Sequence, residues 1–579
     1  MSGPRQVGDR TLYDFCQPEN NPVIALAFKH LPMKLLPKLP FGLFLGFLVL
    51  SVQSCNNTQT TEQPPKQPNI LFAISDDQSF AHTSFAGAKF VNTPAFDRIA
   101  SEGIYFANCM AGSPGCAPSR STIVTGRYHW QNEQSGQHAS SWMKKYVPFI
   151  DLLEANGYAT GRTGKGVSPF QYARDENDSL WRATDAGGIE HSSIQYEEGA
   201  DERPAKNIRA TNYAENFKFF MENVRQDRPF FFWYGASEPH RAFEEGAWKR
   251  TDKKLEDVEV PAFFPDHEVV RGDMLDYAVE IEWFDTHLQR MLDYLEKAGE
   301  LDNTIVIVTS DNGMAFPRAK ANGYEYGFHV PMAVRYPEGF PGGRKVEDPI
   351  SFADIAPTVL ELTGTDTEGM LPMSGKSITN ILTSEGQGIV DENKKYVYAG
   401  RERHSSSRHK NWGYPQRMIR GRDYLLTWNI KPERWPSGDP QALVSDSTDE
   451  LRPMYGVDEE GTHHSNWAFT DIDAAPTKSF LIEHRNDETL TKEGITMMDY
   501  FNLTHARRPE YELFNIKEDP YCLNNLAGNP DHAQAEQELK EALMAELKKS
   551  EDPRVTGADP EVFDSYIRYS PMRYFPAPE

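Results

Sequence analysis

Two short runs of the chain are apolar without interruption and end in the same way. Asn69-Ile70-Leu71-Phe72-Ala73-Ile74-Ser75 stops at Asp76-Asp77, and Thr304-Ile305-Val306-Ile307-Val308-Thr309-Ser310 stops at Asp311-Asn312-Gly313. A strand with one wet face alternates polar and apolar side chains. An unbroken apolar run of this length is expected of a strand covered on both faces, as in a parallel sheet between helices. Helical spacing recurs between the runs: from Thr93-Pro94 to Gly103, over 148–156, over Asn212–Arg225, and over 271–298 before Gly299. Thr93 is expected to cap the first of these helices, with Pro94 in its first turn. Pro229–Tyr234 reads as a further buried strand. Strands alternating with helices predict an α/β fold, a mostly parallel sheet sandwiched by helices.

That pattern spans 69–395, expected to be the catalytic domain. From about 396 it gives way to short strand-like pieces, Tyr396-Val397-Tyr398 and Tyr424-Leu425-Leu426-Thr427-Trp428, and a charged helix over 531–549. Residues 396–579 therefore read as a smaller C-terminal α+β subdomain and tail. A mean hydropathy of −0.62 excludes a polytopic membrane protein. The uncharged stretch 39–52, behind Lys34 and Lys38, is too short for a span and fits the apolar core of an export signal. With Ser54-Cys55 after it, 1–54 reads as a signal region, with 33–54 a lipoprotein signal, Met33 the natural start, Cys55 lipidated and 55–68 a tether. The expected address is the periplasm or cell envelope, with the membrane reached only through that lipid anchor. Simple secretion and a buried apolar segment are the other readings of the same stretch. A net charge of −25 excludes sequence-independent binding to nucleic acid, and five cysteines without a C-x-x-C pair exclude a disulfide scaffold or zinc ribbon.

In open α/β sheets the ligand crevice lies beyond the carboxyl ends of the strands. Asp76, Asp77, Asp311 and Asn312 would meet there if their strands are neighbours, forming an all-oxygen set suited to Ca²⁺ or Mg²⁺. Asp-Asn-Gly is also a common turn. The segment Ser113-Pro114-Gly115-Cys116-Ala117-Pro118-Ser119-Arg120 places a cysteine in a tight turn before a short helix. A thiol at a helix N-terminus near a cation is expected to have a lowered pKa; the bland alternative is a buried structural cysteine. In the subdomain, Arg401, Arg403 and His404, followed by Arg408, Trp412 and Tyr414, form either a cationic, aromatic substrate-binding cluster for an anionic ligand or a solvated basic loop.

C-A-P-S-R followed by T-G-R resembles the signature of the type I sulfatases of the alkaline phosphatase superfamily. N-I-L-F-A-I-S-D-D, G-Y-A-T-G-R-T-G-K, P-F-F-F-W-Y-G-A-S-E-P-H-R, T-I-V-I-V-T-S-D-N-G, F-A-D-I-A-P-T-V-L and Y-E-L-F-N-I-K-E-D-P follow in that family's order, from about residue 69 to 550. F-P-R-A-K-A-N-G-Y is most similar to the heparan N-sulfatase-like branch of bacterial polysaccharide sulfatases. The resemblance implies the fold of that superfamily and one Ca²⁺ held by Asp76, Asp77, Asp311, Asn312 and residue 116. It also implies that a maturation enzyme oxidises Cys116 to formylglycine (3-oxoalanine). One hydroxyl of the hydrated aldehyde would attack sulfur, and the other would later expel sulfate. Arg120 would orient that residue; Lys165, His240 and Lys320 would hold the sulfate and assist the leaving oxygen. The expected substrate is a sulfated polysaccharide or oligosaccharide, such as algal ulvan or a glycosaminoglycan. The alternatives are a phosphonate or phosphodiester hydrolase of the same superfamily and a catalytically silent glycan-binding lipoprotein. The family's histidine two residues after the lysine is absent here, where Gly166-Val167-Ser168 follow Lys165. That leaves His240 as the first candidate for general acid, then His138 and His329.

Overall fold

In the computed structural model, β1 (Asn69–Ser75), β2 (Ile104–Phe106), β3 (Ala159–Gly164), β4 (Phe230–Gly235), β5 (Thr304–Ser310), β6 (Met332–Arg335) and β7 (Arg344–Val346) form one sheet in the order β7-β2-β6-β5-β1-β4-β3. The two apolar runs are direct neighbours: β1 pairs parallel with β5 from Asn69↔Thr304 to Ser75↔Ser310, and parallel with β4 on its other side. β6 runs antiparallel to both of its neighbours, so the sheet is mostly, not wholly, parallel. The structure describes residues 67–570 apart from 173–181, 183, 198–201, 446 and 492–493. The signal region, Cys55 and nearly all of the tether lie outside those residues. Among the described residues no helix is long and apolar enough to cross a membrane.

The unbroken apolar runs are explained by what covers them. Ile70, Phe72 and Ile74 of β1, with Ile305 and Ile307 of β5, face α2 (Cys116–Thr125) and α3 (Phe149–Ala155). Leu71 and Ala73, with Val306 and Val308, face α1 (Pro94–Glu102), α4 (Tyr213–Asn223) and α5 (Glu268–Lys297). Each such side chain contributes roughly 1.5–3 kcal/mol by leaving water, so neither face tolerates a polar substitution. α1 departs from expectation at its start. Thr93 makes no cap to it; its hydroxyl bonds Ser84 and Asp97, and Asp285 of α5 accepts the Ala95 and Phe96 N–H groups at 2.8 and 2.9 Å. A neighbouring helix has taken over the cap.

C-terminal to this, β8 (Val397–Arg401), β9 (Gln416–Arg420), β10 (Tyr424–Asn429) and β11 (Tyr511–Asn515) form an antiparallel four-stranded sheet in sequence order. One face (Ile419, Leu426, Leu513) packs on Leu539, Leu543 and Leu547 of the helix Ala533–Lys549. The other (Val397, Ala399, Met418, Leu425, Phe514) joins the core beneath the main sheet, and both sheets lie within one compact unit, Pro64–Glu579.

The basic run beginning at Arg401 is interior and not a solvated loop: Arg401, Glu402, Arg403, His404 and Arg408 are all buried. Glu402 accepts from Arg417 and from Arg554, each at 2.7 Å, and Arg417 also pairs with Asp552. Burial pushes the Glu402 carboxyl up, but Arg554 and Arg417 outweigh it and hold the group below its ordinary value. Its share of stability is therefore present above the ordinary glutamate range and is lost as pH falls through the lowered value. Glu402→Ala should destabilise the protein by up to about 3–5 kcal/mol, because two buried guanidiniums each lose one carboxylate partner, Arg417 keeping Asp552 and Arg554 keeping Glu561. Urea unfolding of the variant against wild type at neutral pH checks this.

Candidate active site

Four adjacent strands end on the same edge, and the residues that follow each of them converge there. Register makes the convergence unavoidable: with Ser75 opposite Ser310, the residues that follow lie side by side. The Asp77 N–H donates to Asp311 Oδ1 at 3.0 Å, and Asn312 Nδ2 donates to Asp77 Oδ1 at 2.8 Å. Asp77 takes a positive φ of 77°, a conformation costly for a residue with a Cβ. After β3, Lys165 reaches Asp76 Oδ2 at 2.5 Å; after β5, Lys320 reaches Asp77 Oδ2 at 2.6 Å. His240, after β4, has its Nε2 3.9 Å from Asp77 Oδ2. Gly164 and Gly235 allow this crowding: a Cβ on Gly164 would lie 2.1 Å from the Gly235 carbonyl oxygen.

Cys116 opens α2, and one turn later Arg120 locks that helix to the strand ends. The Arg120 Nε donates to Asp311 Oδ2 at 2.7 Å, and its Nη1 donates to the Lys165 and Gly166 carbonyls at 2.9 and 3.0 Å. Potential ligand atoms of Asp76, Cys116 and Asp311 lie within 4.8 Å of one another. Two buried oxygens in this cluster, Asp76 Oδ1 and Asn312 Oδ1, accept no hydrogen bond from the protein. Such oxygens cost about 1–3 kcal/mol each when left unsatisfied, and a hard cation satisfies both. The donor set fits Ca²⁺ or Mg²⁺.

Electrostatics sort the groups by charge. Burial pushes the Asp76 carboxyl up, but Lys165, with His240 and Arg120 behind it, overrides this and holds it below the ordinary range. Asp77 is raised by burial against Lys320, and Asp311 is pushed up to about 6 by burial and by Asp76. Burial opposes the charge on both lysines, yet Asp76 keeps Lys165, and Asp77 keeps Lys320, above the ordinary value. The expectation of a lowered Cys116 pKa is corrected: the thiol is 1% exposed, and burial raises it despite Lys165 and Lys320. His240 is pulled down to about 3, by burial and then by Lys320, although 32% of its side chain is exposed. Its Nδ1 meets the Arg241 carbonyl at 2.5 Å, so the neutral ring carries its free lone pair on Nε2.

The other candidates separate. His329 has Nδ1 on Glu325 and Nε2 on the Ala107 carbonyl, each at 2.9 Å, so both ring nitrogens are occupied by the fold. Arg401 is turned onto buried Asp471, and Arg403 onto the Tyr566 carbonyl at 2.6 Å. His404 is directed to the site: its Nδ1 lies 3.3 Å from Asp471 Oδ1, and a Cβ on Gly115 would touch its Cδ2 at 3.4 Å. The His138 ring lies 5.1 Å from that of His404. Sequence reasoning missed Asp471, which also binds Arg408 at 2.6 Å, and Asp473, whose carboxylate is 3.9 Å from Lys320. Thr470-Asp471-Ile472-Asp473 lies in an irregular loop with no periodicity to mark it.

Comparison with known proteins gives two family matches: "Sulfatase" over residues 68–365, and "N-sulphoglucosamine sulphohydrolase, C-terminal" over 319–435. The chain is 28% identical to an N-acetylglucosamine-6-O-sulfatase of Bacteroides thetaiotaomicron, over 64% of this chain and 81% of that protein. It is 25% identical to the human N-sulphoglucosamine sulphohydrolase, over 85% and 92%. A structure solved in complex with its substrate D-glucosamine-2-N,6-O-disulfate superposes with a TM-score of 0.56 at 21% identity, covering 85% of this chain and all of that one. That likeness is one of fold.

Proposed function

Since the chain belongs to the sulfatase family, we propose that it hydrolyses sulfate from a sulfated polysaccharide or oligosaccharide through an oxidised residue 116 and a bound divalent cation. The observation that carries this is the meeting of Cys116, Asp76 and Asp311 within 4.8 Å, beside two lysines that each neutralise one aspartate. Formylglycine at 116 would supply the attacking hydroxyl, and Ca²⁺ on Asp76, Asp77, Asp311 and Asn312 would supply Lewis-acid polarisation of the sulfate. The chain's own groups do the rest. Lys165 and Lys320 stay charged and would grip sulfate oxygens from largely buried positions, where such contacts are stronger than in water. The first turn of α2 presents unpaired N–H groups and the positive end of its dipole at residue 116. Arg120 keeps that turn in place.

On this reading Lys320, held charged beside Asp77, would be the donor to the leaving oxygen ahead of His240. Lys320→Ala should cost a sulfated sugar roughly 10²–10⁴-fold and nitrophenyl sulfate far less, since a phenolate leaves well unaided. His240→Ala should cost both by a similar factor, as loss of grip does. Turnover of both substrates by both variants across pH 5–9 separates the roles; the reverse pattern would make His240 the acid.

The names of the two relatives support a sulfated glucosamine as the substrate. Free sulfate released from desalted glycosaminoglycan and ulvan oligosaccharides, with a phosphonate monoester as competitor, tests the reading. No sulfate from any of them would overturn it. Export with a lipid on Cys55 completes the proposal, and Cys55→Ser should release the protein from the membrane fraction.

A further inference from the structure

His240 and Lys320 follow different strands, yet both approach one atom. His240 Nε2 lies 3.9 Å, and Lys320 Nζ 2.6 Å, from Asp77 Oδ2. The residue after His240 shows how that meeting is held. The Arg241 side chain is buried, at 4% exposure. Its Nε donates to the Ala315 carbonyl at 2.7 Å, and Nη1 and Nη2 donate to the two carboxylate oxygens of Asp273 in α5, at 2.7 and 2.8 Å. The guanidinium also lies 4.3 Å from the ring centres of Phe243 and Phe316. Bidentate pairing with a carboxylate fixes both the distance and the plane of such a fork.

Each partner of Arg241 leads to another flank of the site. Ala315 belongs to the turn that carries Lys320, whose own N–H donates to the Met314 carbonyl at 3.0 Å. Asp273 Oδ2 also accepts from Thr477, through Oγ1 at 2.6 Å and the N–H at 3.3 Å, at the start of the helix Pro476–Glu483. That helix follows Asp473, whose carboxylate is 3.9 Å from Lys320 Nζ. The Arg241 carbonyl meets His240 Nδ1 and orients the ring. One buried ion pair thus ties together the loops of His240, Lys320 and Asp473. Stability is a weak reason for such a pair, because apolar side chains of similar volume serve a core as well or better. A fork that prescribes distances serves where distances matter.

We infer that Arg241 and Asp273 are positioning residues, which together hold His240 and Lys320 at their separation around Asp77 Oδ2. Neither touches the substrate. The inference rests on the sulfatase reading for what those two groups hold, but not for the placement itself. Without the pair, the strand ends keep Asp76, Asp311 and Asn312 in place, while the His240 loop loses its tie to the Lys320 turn. A displacement of about 1 Å in such a group costs on the order of 10²-fold in rate.

Two variants break the pair in different ways. Asp273→Asn removes the charge and one acceptor; Arg241→Lys keeps the charge but loses the fork. The experiment uses full-length matured protein with nitrophenyl sulfate, or with the sulfated sugar it cleaves best, well below each variant's melting temperature. Either substitution should lower kcat/KM by about 10²-fold. On a His240→Ala background the same substitution should cost about tenfold or less, since much of its effect runs through a ring already removed. A merely structural role gives equal factors on both backgrounds. Crystal structures of the variants should show His240 Nε2 displaced by about 1 Å or more, with Asp76, Asp311 and Asn312 unmoved. Equal factors, a loss of about threefold or less in a folded variant, or an unmoved His240 overturns the inference. If His240 moves as stated but wild type releases sulfate from no ester, the sulfatase reading fails and the positioning stands.

Discussion

Cys116→Ala should abolish sulfate release, by on the order of 10⁴–10⁶-fold, the scale seen when a covalent nucleophile is removed. In the protein made with a maturation enzyme, the peptide containing residue 116 should be about 18 Da lighter than its thiol form, the difference between CH₂–SH and CHO. The variant should melt close to wild type, since a single buried sulfur is lost and, among the described residues, no hydrogen bond to it holds the fold. Mass spectrometry and sulfate release on one preparation give the check. A fully active preparation with an unmodified thiol would refute the assignment.

Asp311→Ala should remove both activity and part of the fold's stability. Asp311 is the hub of the site: one carboxylate oxygen holds Arg120, the other holds the Asp77 N–H, and its carbonyl accepts from Ser119 Oγ. The Arg120 and Asp311 side chains are both fully buried, at 0% exposure. Truncation leaves a buried guanidinium without its partner, a loss of about 3–5 kcal/mol. Metal binding falls with it. In wild type, Ca²⁺ at about 100 times its dissociation constant should add about 2.7 kcal/mol to stability, and chelation should take this away. In Asp311→Ala chelation should no longer shift the melting curve, and Asp311→Asn should recover stability more than activity. If metal-free wild type kept full turnover, the four oxygen ligands would be wrongly assigned.

Much of this site was legible because its signals are local. β1 and β5 announce themselves by lacking any polar position, and the pairs Asp76-Asp77 and Asp311-Asn312 follow them directly. The start of α2 at Cys116 is marked by glycine before it and by the C-A-P-S-R run. What was not legible depends on partners far away in sequence. Thr93 has the chemistry of a cap, yet Asp285 takes the position because α5 packs across that end. The Cys116 thiol has a helix dipole and two lysines to lower its pKa, but burial outweighs them. Arg401 and Arg403 look like a basic surface until Asp471 and Tyr566, 70 and 163 residues away, turn them inward. Alternation and capping rules carry no term for such neighbours.

The pairing of β1 with β5 also sets a clock. Asp76 and Asp77 gain their companions only when Asp311 and Asn312 exist, so the crevice around residue 116 cannot close before β5 has been made. Roughly 190 residues separate Cys116 from Ser310, and a ribosome needs about 10–40 s to add them at ~5–20 residues per second. Until β5 is made the crevice that buries Cys116 is incomplete; in the finished fold the residue is 1% exposed. On the proposed chemistry, its oxidation is an event of the growing chain, in competition with folding. Finished thiol protein given the maturation enzyme should stay unconverted, while the same enzyme present during synthesis should convert it. A fold that completes its centre late keeps its nucleophile within reach early.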